Sequence, residues 1–450
     1  MYRPLELTIG LCFAATIAVS YLASQFLKSL IVMDQQRLEP SGLYLTLSDN
    51  WVTRLMLNIL GYATVFVPGF FIFMYVKRSK HLELEGHSCV TRLVKVCFLG
   101  PEPLLGVDNK QSGQSASHAP QPPRTILQET LLIVFCFMGL QTTYLTWGIL
   151  QEKVMTQEYE ASDGTKGHFT DSQFLVFVNR ILAFLLSGTY ILTTNQTRHA
   201  APMYKYVYCS FSNIMSSWCQ YEALKYVSFP TQVLAKASKI IPVMIMGKIV
   251  SRAKYEYYEY VTAFLISLGM TFFLLGSSDD KGTTVTTFSG IILLASYMIF
   301  DSFTSNWQGS LFAQYNMSSV QMMCGVNLFS CIFTGVSLFQ QGGFIRSVNF
   351  MAQFPKFIFD CLILSVCSAA GQLFIFFTIS TFGPVIFAII MTIRQGLAIL
   401  LSCIIYQHHI TALGIIGVFV VFISIFLRVY CNQRLRSIRK KTQVAAGIKV

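Results

Sequence analysis

Charge is scarce in this chain. Asp, Glu, Lys and Arg supply 12% of its 450 residues, about half of the roughly 25% usual in soluble domains. Catalytic signatures are missing too. There is no C-x-x-C pair, no H-E-x-x-H, no P-loop and no G-x-G-x-x-G, which removes the common marks of redox, zinc and nucleotide-cleaving enzymes. His408 and His409 are adjacent, so on a helix they point in different directions and make a poor metal pair. No nucleophile–base constellation is visible, so neither an enzyme nor a resident cofactor is expected. A disulfide framework is not expected either. Most of the twelve cysteines, among them Cys136, Cys209, Cys219, Cys331 and Cys361, fall inside apolar runs, where cysteine serves as a small packing residue.

What is present is apolar sequence, 53% of the chain, gathered in blocks rather than amphipathic stripes. Each block approaches the ~20 residues that a helix needs to cross ~30 Å of hydrocarbon. They fall near 7–29, 56–76, 128–150, 174–193, 204–226, 229–250, 257–276, 288–307, 318–338, 357–379, 383–406 and 410–430. The fold class is therefore an all-α polytopic membrane protein. Residues 1–77 hold one or two extra N-terminal spans, the first read as uncleaved. Residues 78–127 include the Gly-, Ser- and Pro-rich "GVDNKQSGQSASHAPQPPRT" and read as a flexible linker. A ten-span core follows. It divides into five-helix repeats at 128–276 and 288–430, and an odd number of crossings inserts the second copy inverted. Residues 431–450 form a basic tail.

The net charge of +12 sets topology. Basic clusters in the linker and tail place both in the cytosol, and they report orientation before any nucleic-acid partner. The acidic loop 151–173 belongs on the far side, whereas the loop around Arg346 and Lys356 falls there despite being mildly basic. The sequons at Asn195 and Asn316 fall in cytosolic loops and are expected to be unglycosylated.

The block beginning "PTQVLAKASKIIPVMIMGKIVSR" holds Lys236 and Lys239 well inside its apolar run, and a mid-span lysine costs about 2.5–3.5 kcal/mol on insertion scales. Lys248 sits at the cytosolic end, where it can snorkel. The corresponding span of the second repeat carries Arg394. Glu222 and Asp301 are the acids available for charge balance, although Glu222 could instead pair with Lys225 on its own helix face. Three cations against two acids leave a positive balance and Arg180 adds to it, which suggests an anion pathway; simple ion pairing is the structural alternative. Gln141, Tyr144, Trp147, Asn327 and Ser330 offer hydrogen-bonding groups inside the membrane, to a ligand or to neighbouring helices. Residue chemistry thus leads to a carrier for a phosphorylated metabolite.

"WGILQEKVM", "WCQYEALKYVSFPTQVLAKASKIIPVMIMGKIVSR", "FDSFTSNWQ", "SSVQMMCGVN", "GQLFIFFTI" and "IIMTIRQGLAILLSCIIY" resemble the nucleotide-sugar transporters of the drug/metabolite transporter superfamily. Within that family they are most similar to the branch carrying 3′-phosphoadenosine 5′-phosphosulfate (PAPS). The resemblance implies two inverted five-helix repeats, alternating access, and exchange of a cytosolic donor for a lumenal nucleotide across the Golgi membrane, with the C-terminus cytosolic. It makes Lys239 the phosphate-contacting lysine, with Lys236 one turn away. It gives Arg394 or Gln395 the role of the second basic position and Asn327 and Ser330 a place in base recognition. PAPS carries more charge than a nucleotide sugar and suits three cations; a UDP-sugar carrier and a non-transporting receptor or scaffold remain the alternatives. The bilayer, PAPS and a nucleotide counter-substrate are the expected partners, and the oligomeric state is left open, a homodimer included.

Overall fold

The computed structural model describes residues 51–78, 126–160, 166–169, 171–194, 201–223, 238–277, 288–341, 343–405 and 412–445, with isolated positions between 14 and 25, at 97, 226–227, 232 and 235–236. Most of the linker, most of the first block, Asn195, Lys225, His408 and His409 lie outside the described residues. The chain order is α1 (Trp51–Arg78), α2 (Ile126–Thr156), β1 (Glu158–Glu160), β2 (Lys166–His168), α3 (Ser172–Thr193), α4 (Tyr204–Ala223) and α5 (Ile240–Val250). It continues with α6 (Tyr257–Ser277), α7 (Phe288–Tyr315), α8 (Ser319–Gln341), α9 (Gly343–Gln353), α10 (Pro355–Phe382), α11 (Pro384–Ile405) and α12 (Ala412–Ala445).

Five helical stretches among the described residues are long and apolar enough to cross a membrane: Leu127–Met155, Gln173–Thr193, Phe288–Tyr315, Ser319–Phe339 and Pro355–Phe382. Shorter apolar helical stretches cover Asn58–Met74, Ile240–Val250, Pro384–Leu397 and Ala412–Arg428. Large apolar side chains such as Leu131, Phe135, Phe359 and Phe426 point outward, as they do where a helix faces lipid rather than water. The protein is an all-α polytopic membrane protein, apart from one small hairpin.

Four local features depart from the block pattern. The run 229–250 does not form one helix: Ser238 and Lys239 lie in a turn and α5 starts only at Ile240. Pro242, the third residue of α5, has no N–H to donate and its ring clashes with a helical carbonyl four residues back, at Ser238. In the loop 151–173, β1 and β2 pair antiparallel, Tyr159 opposite Gly167. The loop before α10 holds α9, which buries Gly343 and Ser347 and exposes Ile345 and Val348. Finally, α12 runs through to Ala445, because "NQRLRSIRKKTQVA" contains no helix breaker.

The chain forms two compact units, each drawing on both halves of the sequence. The first comprises 1–115, 142–211 and 320–373, and the second 116–141, 212–319 and 374–450. In the first unit, Val154, Tyr159, Phe169, Phe174, Phe357 and Leu364 share one core. The hairpin is fastened to it by Tyr159, whose ring meets Phe357 edge-on at 5.4 Å and whose hydroxyl donates to Asp360 Oδ2 at 3.1 Å. Lys153 donates to the other oxygen of the same carboxylate, also at 3.1 Å. Asp171 accepts from the backbone N–H groups of Gln173 and Phe174 and so caps α3. Ser347 of α9 donates to the second oxygen of Asp171, at 3.2 Å. Helix α1 docks through Tyr62 and Phe66 on Phe211 and Phe333, ring centroids 4.8–5.9 Å apart.

In the second unit, Ile240, Val243, Met244, Ala263, Ile266, Ala388 and Ile389 bring α5, α6 and α11 together. The Asn306 amide of α7 donates to the carbonyl of Val243 at 2.9 Å and ties α5 to α7. Helices α6 and α12 meet at Gly269 and Gly417. A Cβ on Gly269 would lie 2.8 Å from the Gly417 carbonyl oxygen, so only glycine permits this backbone approach.

Candidate functional site

The predicted site residues fall into two clusters, one in each unit. The second unit's cluster surrounds the start of α5. Lys239 is the residue before its first turn, and no side chain caps that turn. The turn before it takes the cap's place: the Ile241 and Val243 N–H groups donate to the Ser238 and Lys239 carbonyls, and Pro242 has no N–H. Lys239 is 8% exposed. Its ammonium lies 3.1 Å from Asp301 Oδ2 and 5.6 Å from the centre of the Phe387 ring. Asp301 is more open, with 32% of its side chain accessible.

Lys236, half-buried one turn upstream, feels the charges of Lys239, Asp301 and Arg394. Three cations thus act around the Asp301 carboxylate. Asp301 and Arg394 are each close to the middle of their helices, α7 and α11, where neutralisation by bulk water is weakest. The adjacent Gln395 is rotated by about 100° on the helix, and Arg394 supplies the charge of that pair that Lys236 feels. Glu222 is buried on α4 in the same unit, but the carboxylate that engages Lys239 is that of Asp301.

The first unit's cluster is built from amides. Arg180, near the middle of α3, donates from Nη1 to Asn327 Oδ1 at 3.4 Å. Asn327 donates in turn to Gln372 Oε1 and to the Met323 carbonyl, both at 2.8 Å. Both of its amide hydrogens and its oxygen are thereby engaged, and it is fully buried. Tyr144, Cys209 and Cys331 also act on Arg180, and none of them is a carboxylate. Tyr144 packs edge-on against Trp147 at 6.3 Å. Ser330 is fully buried on α8, and its hydroxyl has no partner among the described residues.

Among the described residues no three His, Cys, Asp or Glu side chains gather as metal ligands would. The charge chemistry differs between the clusters: one offers ammonium point charges, the other a guanidinium fork, and both types of group suit anions. Residues 132–432 match the family model of the UAA transporter family. The chain belongs to that family.

Relatives extend the likeness beyond the matched region. The "Adenosine 3'-phospho 5'-phosphosulfate transporter 1" of Drosophila melanogaster is 58% identical over 401 residues, 87% of this chain and 86% of the relative. The Homo sapiens protein of the same name is 52% identical over 399 residues, covering 87% and 90%. The "UDP-galactose/UDP-glucose transporter 5B" of Arabidopsis thaliana is 39% identical over 311 residues, covering 68% and 89%. Both clusters lie inside the family-matched region of this UAA transporter, and α1 lies outside it.

The remaining candidates sort more simply. Lys248 is exposed in the last turn of α5. Gln141 is half-buried on α2, and its side-chain oxygen has no hydrogen-bond partner among the described residues. Gln372 is the residue that the sequence did not single out. It stood inside the motif "GQLFIFFTI", and an amide in an apolar run is too common to signal a ligand by itself.

Proposed function

We propose that this transporter moves PAPS from the cytosol into the Golgi lumen in exchange for a lumenal adenosine nucleotide, supplying lumenal sulfotransferases. The observation that carries the reading is the excess of cations around Asp301, in a chain whose animal relatives are named for this substrate. Ten core helices act as two inverted repeats, 128–276 and 288–430, and the basic tail is cytosolic. Lys239 holds a substrate phosphate most directly, with Lys236 and Arg394 in support. Asp301 occupies Lys239 while substrate is absent, and the arriving phosphate takes its place.

Exchange follows from the same charges. With no anion bound, Lys236 has no salt bridge of its own among the described residues, which disfavours the occluded state through which an empty carrier must pass. PAPS and adenosine 3′,5′-bisphosphate each relieve that cost. Liposomes containing the full-length protein test the proposal. Labelled PAPS uptake should rise when adenosine 3′,5′-bisphosphate is preloaded and should resist competition by UDP-sugars. Uptake independent of preloading would sink the antiport reading. The Arabidopsis relative favours a second reading, UDP-galactose or UDP-glucose as cargo, and uptake of either in preference to PAPS would establish it. Absence of uptake for every nucleotide would leave a receptor or scaffold.

A further inference from the structure

We infer that Arg180 and the side-chain nitrogen of Gln372, both oriented by Asn327, form a second oxyanion site within the first unit, taking either the 3′-phosphate or the sulfate group of the nucleotide substrate. The inference rests on the transport reading for the identity of the ligand, and on the first unit alone for the site.

A cation at the middle of a span needs an answering charge or water. Arg180 has one long bond, 3.4 Å, to a neutral amide. The described carboxylates that could have served it are engaged elsewhere: Asp360 with Lys153 and Tyr159, and Asp171 with the start of α3 and Ser347. A structural arginine in a core is paired with an acid, whereas this one is held in place and left charged.

Asn327 makes the arrangement directional. Its two amide hydrogens go to the Met323 carbonyl and to Gln372 Oε1, so its oxygen is the atom presented to Arg180. Gln372 in turn spends its oxygen on Asn327, and its nitrogen is left with hydrogens to give. The unspent groups of the chain are therefore all donors, on the guanidinium and on the Gln372 amide. A site that offers only donors selects a ligand that only accepts, and a tetrahedral oxyanion is the best match for a guanidinium fork. Accessibility agrees with this division of roles. Arg180 and Gln372 are half-buried, whereas Asn327 is sealed. Asn327 is thus a positioning residue, and Arg180 and Gln372 are the contacts.

Competition measurements on the full-length transporter in liposomes read the site. Four adenosine ligands are compared: PAPS, the 3′,5′-bisphosphate, the 5′-phosphosulfate and the 5′-monophosphate. Arg180→Gln should weaken PAPS by about tenfold to a hundredfold, the worth of a charge-assisted bond. It should also erase one contrast and spare the other. If Arg180 holds the 3′-phosphate, the bisphosphate and monophosphate become equal competitors. If it holds the sulfate, PAPS and the bisphosphate become equal. Arg180→Lys should restore part of the affinity and the same part of the lost contrast, and Gln372→Met should shift that contrast severalfold. Should Arg180→Gln fail to fold, the other two variants carry the test.

Wild-type ratios among all four ligands in the variants would overturn the inference, even with lower overall uptake, because a structural arginine affects every ligand alike. A wild type that takes up no PAPS sinks the transport reading instead. The site is then read by inorganic phosphate and sulfate: heat protection of the wild type but not of Arg180→Gln supports it, and equal protection of both overturns it.

Discussion

The two clusters solve one problem in opposite ways. Around α5, charge is answered by charge: Lys239 holds Asp301, and Lys236 and Arg394 stand around that pair. Around α8, Arg180 has no carboxylate partner among the described residues and donates to the Asn327 amide. On the proposed reading, the first arrangement carries a replaceable counter-ion, and a ligand phosphate would compete with a carboxylate already in place. The second would have no such competitor among the described residues, and its preference would come from the fixed direction of its donors. An ion pair adjusts how tightly an anion is held, and an oriented amide chain adjusts which anion is held.

The sharpest way to break this contrast is to remove its strongest member. Lys239→Ala should lower PAPS uptake about a hundredfold or more, because it deletes the cation proposed to hold phosphate and leaves the Asp301 carboxylate without its partner. Lys239→Arg should retain part of the activity, measured as initial uptake by liposomes. Next, the first unit can be given the acid it lacks. Asn327→Asp would pair with Arg180 and should cost about tenfold in PAPS affinity, like the loss of one charge-assisted bond. Removing the acid from the second unit should act in the other direction. Asp301→Asn should lower the KM for PAPS severalfold and slow turnover, since the departing phosphate has no carboxylate to replace it. An unchanged KM would refute the competition between Asp301 and substrate.

The smallest effects belong to regions away from both clusters. Tyr159→Phe removes one hydrogen bond to Asp360 and should cost about 1 kcal/mol of stability with no change in KM. Burial first, and then the Asp360 charge, hold the Tyr159 hydroxyl above its ordinary pKa of 10.0. A raised pKa in the folded state stabilises fully below the unfolded value and is lost as pH climbs past it. The wild type should therefore lose stability above about pH 10, and Tyr159→Phe should lose less over the same range in a thermal melt. Gln395→Ala should change uptake least, because Gln395 contributes no charge to the group around Asp301.

What the sequence revealed follows from rarity. A charge inside an apolar block is uncommon, so Lys236, Lys239, Asp301, Arg394 and Arg180 were visible before any fold was known. Block lengths were visible as well: the run 174–193 became α3 at Ser172–Thr193. Short or context-dependent features were not legible. The hairpin strands have three residues each and α9 has eleven, too few for hydrophobic periodicity to stand out. The late start of α5 was written in Pro242, but a long apolar run outweighed it. Gln372 was hidden because its meaning depends on Asn327, 45 residues earlier in the chain. The continuation of α12 was read as a tail because charge was taken as the end of the helix, although charged residues are good helix formers.

That last helix has a mechanical consequence. At 34 residues and ~1.5 Å per residue, α12 is about 51 Å long, against a hydrocarbon core of ~30 Å. About 20 Å of continuous helix is therefore left over. The glycine contact at 269 and 417 clamps the apolar part of α12 to α6, so the surplus is stiffly coupled to the helices beneath it. Its sequence is dense in lysine and arginine. Such a rod acts as a lever: a torque applied to its basic end is delivered, undamped by any hinge, to the packed base of the second unit.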